Sequence, residues 1–416
     1  MSTSFPDALI QELLASFEVT ENGGITYGNG NIQRYKILST LLLEQLLDDD
    51  NNHFDRKLRG LRITLPRKLD GVILPIEVAA AAKRQQISSY SELKTIFQQF
   101  VTDLSRRPRR RYRCLIPVNV NFHGVPFSYA DKNIKITAYP FSEFREILSG
   151  PEIEEGIRQA ESFDLNIDFS DFTVFETEVY ARNSLYAEGI SYQFVKFILG
   201  VLAFLLTFHS YSMRLLGTIG PITDINQGLF FVFEEESFLH PVAFSLIESG
   251  VEVHPVSAQQ IQTVITMLQK YRQASPPVQT IVVDAFSAYH EGVTEKRVGH
   301  AFFFFWTCVE LLALKHERLS EWKVRQRLRC IFMNITTQMA LELDRFYSVR
   351  NKIAHRAKFA SVSEFDRDRM KFFTENFLDY FITNMMQLRI GEIHKKYDEL
   401  CQIDDGSKSS VADGDA

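Results

Sequence analysis

The segment from Gln338 to Ala354 repeats apolar residues with the period of an α-helix, and this repeat is the strongest structural constraint in the sequence. The spacing is that of one buried helix face at 3.6 residues per turn. The apolar residues are Met339, Leu343, Phe346, Val349 and Ile353. Arg350 continues the same face, four residues after Phe346. Because a charge among apolar side chains is costly without a counter-charge, Arg350 is expected to have an anionic partner.

The end of this segment combines three functional groups that suit phosphate chemistry: the guanidinium of Arg350, the carboxamide of Asn351 and the imidazole of His355. Asn351 and His355 are four residues apart, so a regular helix places them on one face, where the amide can orient the imidazole. Arg350 and His355 are five residues apart and diverge by about 140° in an ideal helix. They converge only if the helix end is distorted or if two copies of the chain meet.

The run from Arg350 to His355 resembles the signature of the HEPN superfamily (higher eukaryotes and prokaryotes nucleotide-binding domains), which has Arg, a polar residue, a few further positions and then His. Three segments look like the helices of the subgroup found in bacterial abortive-infection proteins. They are Ile281–Tyr289, Ala301–Leu312 and Leu343–His355. The resemblance covers about the last third of the chain, and the residues before it resemble no family.

This resemblance implies an endoribonuclease that uses no metal or other cofactor. The ribose 2′-hydroxyl would attack the adjacent phosphate, so RNA and not DNA would be the substrate. His355 would act as general acid or base, Arg350 would stabilise the charge of the phosphorane, and Asn351 would orient one of them. The products would be a 2′,3′-cyclic phosphate or 3′-phosphate and a 5′-hydroxyl. HEPN ribonucleases typically form homodimers in which both Arg–His pairs line one cleft, and such symmetry would bring the two residues together.

Two residues near the signature need separate interpretation. Glu310 lies on the helix predicted to face the signature, and it is either a buried salt-bridge partner of Arg350 or a member of the active site. Toxins of this family that pair with a nucleotidyltransferase antitoxin have a tyrosine two residues after the histidine, but Arg356 and Ala357 follow His355. Regulation through that tyrosine is therefore not expected, and Arg356 is a candidate for an additional phosphate contact.

Two other interpretations of the signature stay open. In the first, Arg350 forms an ordinary ion pair and His355 lies near the carbonyls of a helix C-terminus, where a cation is favoured. In the second, a HEPN-type module binds RNA or protein without cleaving. The subgroup resemblance suggests a bacterial toxin or anti-phage effector, activated by a phage-derived or other protein trigger through the N-terminal region. A structured RNA with exposed loops, such as tRNA, would suit a cleft that needs unstacked bases.

Two clusters of basic residues are candidate RNA contacts. Because the net charge is −6, RNA binding has to rest on local patches. The densest patch lies at a predicted turn from helix to strand and is a candidate RNA-binding surface. It consists of Arg106, Arg107, Arg109, Arg110, Arg111 and Arg113. Its alternative is a solvated turn paired with the acidic loop Asp48–Asp50. The second run divides between two helix faces and fits a substrate groove as well as a solvated surface. It consists of Lys323, Arg325, Arg327 and Arg329.

Cysteine spacing and hydropathy favour a soluble cytoplasmic protein. The cysteines lack the spacing of a zinc site or a short disulfide framework. They are Cys114, Cys308, Cys330 and Cys401. Phe194–Phe208 is strongly apolar, but it contains Lys196 and is shorter than the about 20 residues that cross a bilayer, so it is predicted to be a buried core helix. The N-terminal residues lack the charged and apolar regions of a secretion signal.

The pattern of elements predicts an α+β protein. A mixed α/β sensor or regulatory region, residues 1–275, precedes an all-α HEPN-like helical bundle, residues 276–396, and an acidic disordered tail, residues 397–416. The first boundary is placed at Ser275-Pro276-Pro277, because proline disfavours continuation of a helix. In the first region, helices are predicted at Pro6–Phe17, Ile32–Leu47 and from Ser88 or Ser89 to Leu104. Strands are predicted at Leu61–Leu65, Gly71–Val78, Leu115–Phe122, Ile134–Tyr139 and Leu229–Phe233.

Overall fold

The structure is a computed structural model that describes residues 5–19, 25–26, 63–64, 72–73, 75–131, 134–144, 150–151, 171–208, 230–242, 253–314, 321–335, 337–356, 359 and 362–409. The chain divides into two compact units. The first comprises Met1–Arg113, Glu178–Ile190 and Val232–Ser237, and the second comprises Cys114–Thr177, Ser191–Phe231 and Phe238–Ala416. A six-stranded sheet lies in the N-terminal half, and the regular elements described after Pro255 are helices. The predicted α+β class is therefore confirmed.

Three helices form the core of the first unit. They are α1 (Phe5–Ala15), α2 (Pro75–Arg84) and α3 (Tyr90–Arg106). Their inward faces share one apolar cluster that includes Leu13, Val78 and Phe97. The ammonium of Lys83 donates to the carbonyls of Leu14, at 2.7 Å, and Phe17, so that α2 satisfies carbonyl groups at the end of α1.

The predicted start of α3 is confirmed. Ser89 is its N-cap: the Ser89 hydroxyl accepts from the Glu92 N–H at 3.4 Å, and the Glu92 carboxylate accepts from the Ser89 N–H at 3.1 Å. This reciprocal pair is a capping box, which satisfies two backbone donors at the helix start. Backbone N–H donors of Ser88 and Ser89 lower the pKa of Glu92, because they stabilise its ionised form.

Six of the twelve described strands belong to one sheet. The twelve are β1 (Glu18–Val19), β2 (Ile25–Thr26), β3 (Ile63–Thr64), β4 (Val72–Ile73), β5 (Arg110–Val118), β6 (Val120–Asn121), β7 (Phe127–Ala130), β8 (Ile134–Pro140), β9 (Thr173–Ala181), β10 (Phe230–Glu234), β11 (Ser237–Val242) and β12 (His254–Pro255). The sheet has the order β11-β10-β5-β9-β8-β7, and the pairs β1–β2, β3–β4 and β6–β12 stand apart from it. β7 and β8 are antiparallel, with Tyr129 opposite Ile136.

The second unit contains most of the helices. After α4 (Ser184–Phe208) they are α5 (Ala258–Gln273), α6 (Pro276–Thr294), α7 (Val298–Leu312), α8 (Glu321–Ile335), α9 (Thr337–Arg356), α10 (Glu364–Asn384) and α11 (Ile390–Ser409). α7 packs against both α6 and α10, and α8 packs against both α9 and α11. Ser275 is the N-cap of α6 and proline occupies its first turn, so the proposed boundary at 275 coincides with a helix start.

Two predicted elements differ from the observed ones. The strand predicted at Gly71–Val78 is limited to β4, because Pro75 begins α2; proline is well suited to the first position of a helix. α11 continues to Ser409, and Tyr397 is fully buried, so the helix includes the first part of the predicted tail. The helix predicted at Ile32–Leu47 lies outside the described residues. The strands predicted at Leu115–Phe122, Ile134–Tyr139 and Leu229–Phe233 correspond to β5 with β6, to β8 and to β10.

The apolar helix α4 is longer than the apolar segment Phe194–Phe208 from which it was predicted. It begins at Ser184 and has 25 residues, which is long and apolar enough to cross a membrane by length and composition. However, 72% of its most apolar window is buried inside the protein, and Lys196 on this helix pairs with Glu291 of α6. α4 is therefore long enough to cross a bilayer, unlike the apolar segment Phe194–Phe208 alone, but it is the buried core helix that was predicted. This burial is typical of the core helix of a soluble protein.

Candidate functional site

Helix α9 carries the signature residues and buries one side of itself. Leu343, Phe346 and Ile353 are each at most 3% exposed, and Val349 is half-buried. The predicted apolar face is confirmed at these positions, and the side chain of Met339 lies outside the described residues. The face ends in the half-buried Arg350, as the spacing required.

Arg350 has the carboxylate partner that its position predicted. Its Nη2 lies 3.4 Å from Oε1 of Glu310 on α7, and its Nη1 donates to Oδ1 of Asn351 at 3.0 Å. The two charged side chains are 12% and 13% exposed, so the pair is largely shielded from water. Glu310 and Asn351 thus hold the guanidinium from two sides, and Glu310 occupies the salt-bridge position considered for it.

His355 and Arg356 are the last residues of α9, and their side chains lie outside the described part of the structure. The backbone is α-helical through both positions. In such a helix, positions 351 and 355 share a face, and positions 350 and 355 face directions about 140° apart. The helix therefore shows no distortion up to Arg356 that would bring positions 350 and 355 together within one chain.

Aromatic packing fixes α9 against its neighbours. The rings of Tyr347 and Trp306 on α7 are 4.8 Å apart in an edge-to-face arrangement. Phe346 contacts Phe302 of α7 at 6.0 Å and Phe373 of α10 at 4.9 Å between ring centroids. Edge-to-face pairs of buried rings have defined geometry, so these contacts orient α9 against α7 and α10.

The arginine cluster lies where α3 ends and β5 begins, as predicted. Arg106 is the last residue of α3, and Arg107 is its C-cap. β5 starts at Arg110. The side chains from 106 to 110 are exposed, whereas Arg111 and Arg113 are half-buried.

Several of these arginines contact glutamates from distant parts of the sequence. Nε of Arg111 lies 2.9 Å from Glu178 on β9, and its Nη1 lies 3.4 Å from Glu236 in the turn after β10. Arg113 also contacts Glu236, at 2.6 Å. These carboxylates offset much of the positive charge that the sequence indicated. The sequence did not indicate these partners, because only the order of strands in the sheet brings them to β5.

The first residue of β5 is paired in the same way. Arg110 forms an ion pair with Glu234 on β10, and this hydrogen bond raises the pKa of Arg110. The Tyr112 hydroxyl donates to the same carboxylate at 3.4 Å, and burial together with the charge of Glu234 raises the pKa of Tyr112 to about 12. The alternative partner, the loop Asp48–Asp50, lies outside the described residues.

The second basic run divides between two faces of α8, as predicted. Arg325 and Arg329 are exposed, whereas Arg327 is only 1% exposed. Nη2 of Arg327 lies 2.9 Å from Nδ1 of His394 and 3.2 Å from Asp398 on α11. Arg327 is therefore a core residue that ties α8 to α11, a role that the sequence did not reveal.

A separate cavity of about 370 Å³ opens in the second unit, next to β7 and β8. Its lining includes the titratable residues His123, Tyr139, Glu143 and Asp171. His123 has a φ of 51°, which follows from its place in the turn between β6 and β7. These residues belong to residues 1–275, which were predicted to be a sensor or regulatory region.

The described residues contain no group of three or more His, Cys, Asp or Glu side chains that could hold a metal ion. Comparison with known proteins adds no further assignment. No family model, curated protein or solved structure matches the chain. The HEPN resemblance therefore remains a prediction that rests on the residues of α9 and their surroundings.

Proposed function

We propose that the chain is a metal-independent endoribonuclease of the HEPN type that acts as a homodimer. One observation carries this proposal: a shielded arginine, held by Glu310 and Asn351, stands near the end of a continuous helix that also carries His355. A guanidinium fixed in this way is pre-organised to receive a phosphate, which costs less reorganisation than a mobile side chain would.

The reaction would transfer protons and break one phosphorus–oxygen bond. The 2′-hydroxyl loses its proton to a general base and attacks the neighbouring phosphorus. The bond from phosphorus to the 5′-oxygen breaks, and a general acid gives that oxygen a proton. His355 supplies the base or the acid, and Arg350 stabilises the extra negative charge of the phosphorane. The ends produced are a 2′,3′-cyclic phosphate, or the 3′-phosphate formed from it by water, and a 5′-hydroxyl.

The regular geometry of α9 supports the proposed homodimer. Positions 350 and 355 of one chain face directions about 140° apart, so the two groups of one helix do not converge on one phosphate. A two-fold axis near the end of α9 would place position 350 of one chain beside position 355 of its partner. The composite cleft would then contain two such sets.

The biological setting follows from resemblance to the abortive-infection subgroup. We propose a bacterial toxin or anti-phage effector in the cytoplasm, silent until a phage-derived or other protein trigger acts through residues 1–275. RNAs with exposed loops, such as tRNAs, suit a cleft that requires unstacked nucleotides.

A second function, a non-catalytic module that binds RNA or protein, is favoured by the same ion pair. Glu310 already neutralises Arg350 at 3.4 Å, as a purely structural partner would. If this is the purpose of Arg350, its loss will affect stability and leave RNA intact.

The test is cleavage of total cellular RNA by the purified protein in EDTA, with the new ends mapped. We expect cuts with 5′-hydroxyl ends that disappear in Arg350→Ala and His355→Ala. Lys395→Ala is the matched control for loss of a cation, since Lys395 is 79% exposed on α11. Cleavage that persists in both signature variants would disprove this mechanism. An inactive wild type, tested also with cell extract from phage-infected bacteria, would favour the binding module.

A further inference from the structure

The chain has two tryptophans, and they lie in opposite environments. Trp306 is fully buried in the packing between α7 and α9. Trp322, in the first turn of α8, is 70% exposed. Aromatic residues are frequent where proteins contact partners, so the environment of this exposed ring bears on what the helix could bind.

The position of Trp322 relative to the signature follows from the register of α8 and α9. A single residue, 336, separates these helices. Arg325 on α8 contacts Asp344 at 2.6 Å and lies over the ring of Tyr347 at 5.3 Å, so the two helices run antiparallel. Trp322 precedes Arg325 by three residues, which is about 4.5 Å along the axis. Because the helices are antiparallel, this step along α8 corresponds to a step along α9 from Tyr347 towards Arg350 and Asn351.

The exposed side of α8 combines this ring with two cations. Trp322, Arg325 and Arg329 follow the i, i+3, i+7 spacing of one helix face, and all three are exposed. The opposite side of α8 is occupied by α11, through Arg327 and Asp398. The face defined by these three residues is exposed to solvent, and its Arg325 also pairs with Asp344 of α9. We call it the Trp322 face.

We propose that Trp322 stacks on an unpaired base of the RNA next to the scissile phosphate, while Arg325 and Arg329 contact the adjoining backbone. Stacking on tryptophan accepts any base but requires that the base has left its own stack. The substrate class is therefore RNA that is single-stranded at the cut, in loops or linkers, and double-stranded RNA is excluded. This inference rests on the proposed ribonuclease function, and it names the contact that selects the substrate.

The two tryptophans provide a direct readout of this contact. In the His355→Ala protein, which cannot cleave by the proposed mechanism, a short single-stranded oligoribonucleotide should quench the long-wavelength emission of Trp322. In a His355→Ala, Trp322→Phe protein only the buried Trp306 remains, and the same RNA should leave emission unchanged. Fully paired RNA should not quench either protein. These spectra do not depend on catalysis.

Affinity gives the second readout. Trp322→Ala in the same background should weaken binding of the oligoribonucleotide by about tenfold, within the range measured for loss of one stacked base. Leu341→Ala is the matched control, because Leu341 is 72% exposed on α9 at the opposite end of the pair of helices. Its affinity should stay within about twofold of the parent, since it removes a similar apolar side chain away from the signature.

The outcomes separate the inference from the proposed function. Cleavage that needs Arg350 and His355 but proceeds equally well in Trp322→Ala would overturn the stacking contact and leave the function standing. Quenching and weakened binding without any cleavage by the wild type, also in the presence of extract from phage-infected bacteria, would keep the contact and overturn the ribonuclease. If the emission of Trp322 is blue-shifted, reverts on dilution and does not change when RNA is added, a second copy of the chain covers Trp322. This result would also overturn the inference.

Discussion

At the scale of single residues, a buried ion pair on α10 also accepts a hydrogen bond from a tyrosine of α6. Lys371 is 1% exposed and lies 2.7 Å from Glu375, which is one helical turn further along α10. The Tyr289 hydroxyl of α6 donates to the same carboxylate oxygen at 2.6 Å. Lys371 and Tyr289 therefore both donate to Glu375. Water does not replace this acceptor in a buried region.

Glu375→Ala should lower the free energy of unfolding by about 3–5 kcal/mol, because the Lys371 ammonium would stay buried without its carboxylate. Urea unfolding followed by circular dichroism measures this difference. α11 offers a control with the same spacing, since Lys395 and Glu399 lie 3.7 Å apart but are 79% and 56% exposed. Glu399→Ala should cost less than about 0.5 kcal/mol. Equal losses at both positions would show that burial is not the cause.

Single residues also show how far the sequence predicts the candidate site. The apolar spacing of α9 placed Arg350 at a buried edge, so the need for a carboxylate was evident, and Glu310 was among the residues named for it. The glutamates around Arg111 were missed, because Glu178 and Glu236 reach it through the order of strands in the sheet. The burial of Arg327 was missed for a similar reason: nothing local to α8 indicates that His394 and Asp398 lie beside it.

At the scale of helices, one close approach holds α4 against α6. A Cβ atom added at Gly200 would lie 2.3 Å from the carbonyl oxygen of Phe286, which is far inside the contact distance and involves backbone. The two helices therefore touch where α4 has no side chain. Their neighbourhood includes the edge-to-face contact of Phe197 with Phe286 at 5.8 Å.

Gly200→Ala should destabilise the protein by about 1–3 kcal/mol, because α4 and α6 would have to separate and lose their packing. Gly189, on the same helix, is the control, since a Cβ there meets nothing within 4 Å. Gly189→Ala should stabilise by about 0.5–1 kcal/mol through the better helix propensity of alanine. Thermal unfolding of both variants tests the pair, and a Gly200→Ala variant as stable as the wild type would contradict the close approach.

The elements themselves were predictable to different degrees. The start of α3 was predicted correctly because its signal, the Ser89 cap, is local. The start of α4 was misplaced because the residues from Ser184 onwards are less apolar than the stretch after Phe194, although the same helix includes both. The strand predicted around β4 was too long, because the residues after Pro75 have strand-like composition. Proline is favoured at the first position of a helix, and this preference outweighed that composition.

At the scale of the whole molecule, the proposed dimer makes a prediction about mixed subunits. If Arg350 of one chain and His355 of its partner serve one phosphate, a mixture of Arg350→Ala and His355→Ala chains should regain activity. Random exchange makes half of the dimers mixed, and one of their two sites is intact, so about one quarter of wild-type cleavage is expected. The rate of 5′-hydroxyl end formation after subunit exchange measures it. If the mixture stays inactive after exchange is confirmed by mass, both residues of a site come from one chain.

The order of the sheet has a consequence for synthesis of the protein on the ribosome. β5, which ends at Val118, lies between β9 and β10, so one of its edges acquires its neighbour only after Glu234 has been made. Until then a strand rich in buried residues has an open edge, which is a site for wrong pairing with other chains. Contacts so distant in sequence also form slowly. Helix α9, which carries Arg350 and His355, is translated after the last strands, so the nascent chain has the opportunity to complete its sheet before the candidate active site exists.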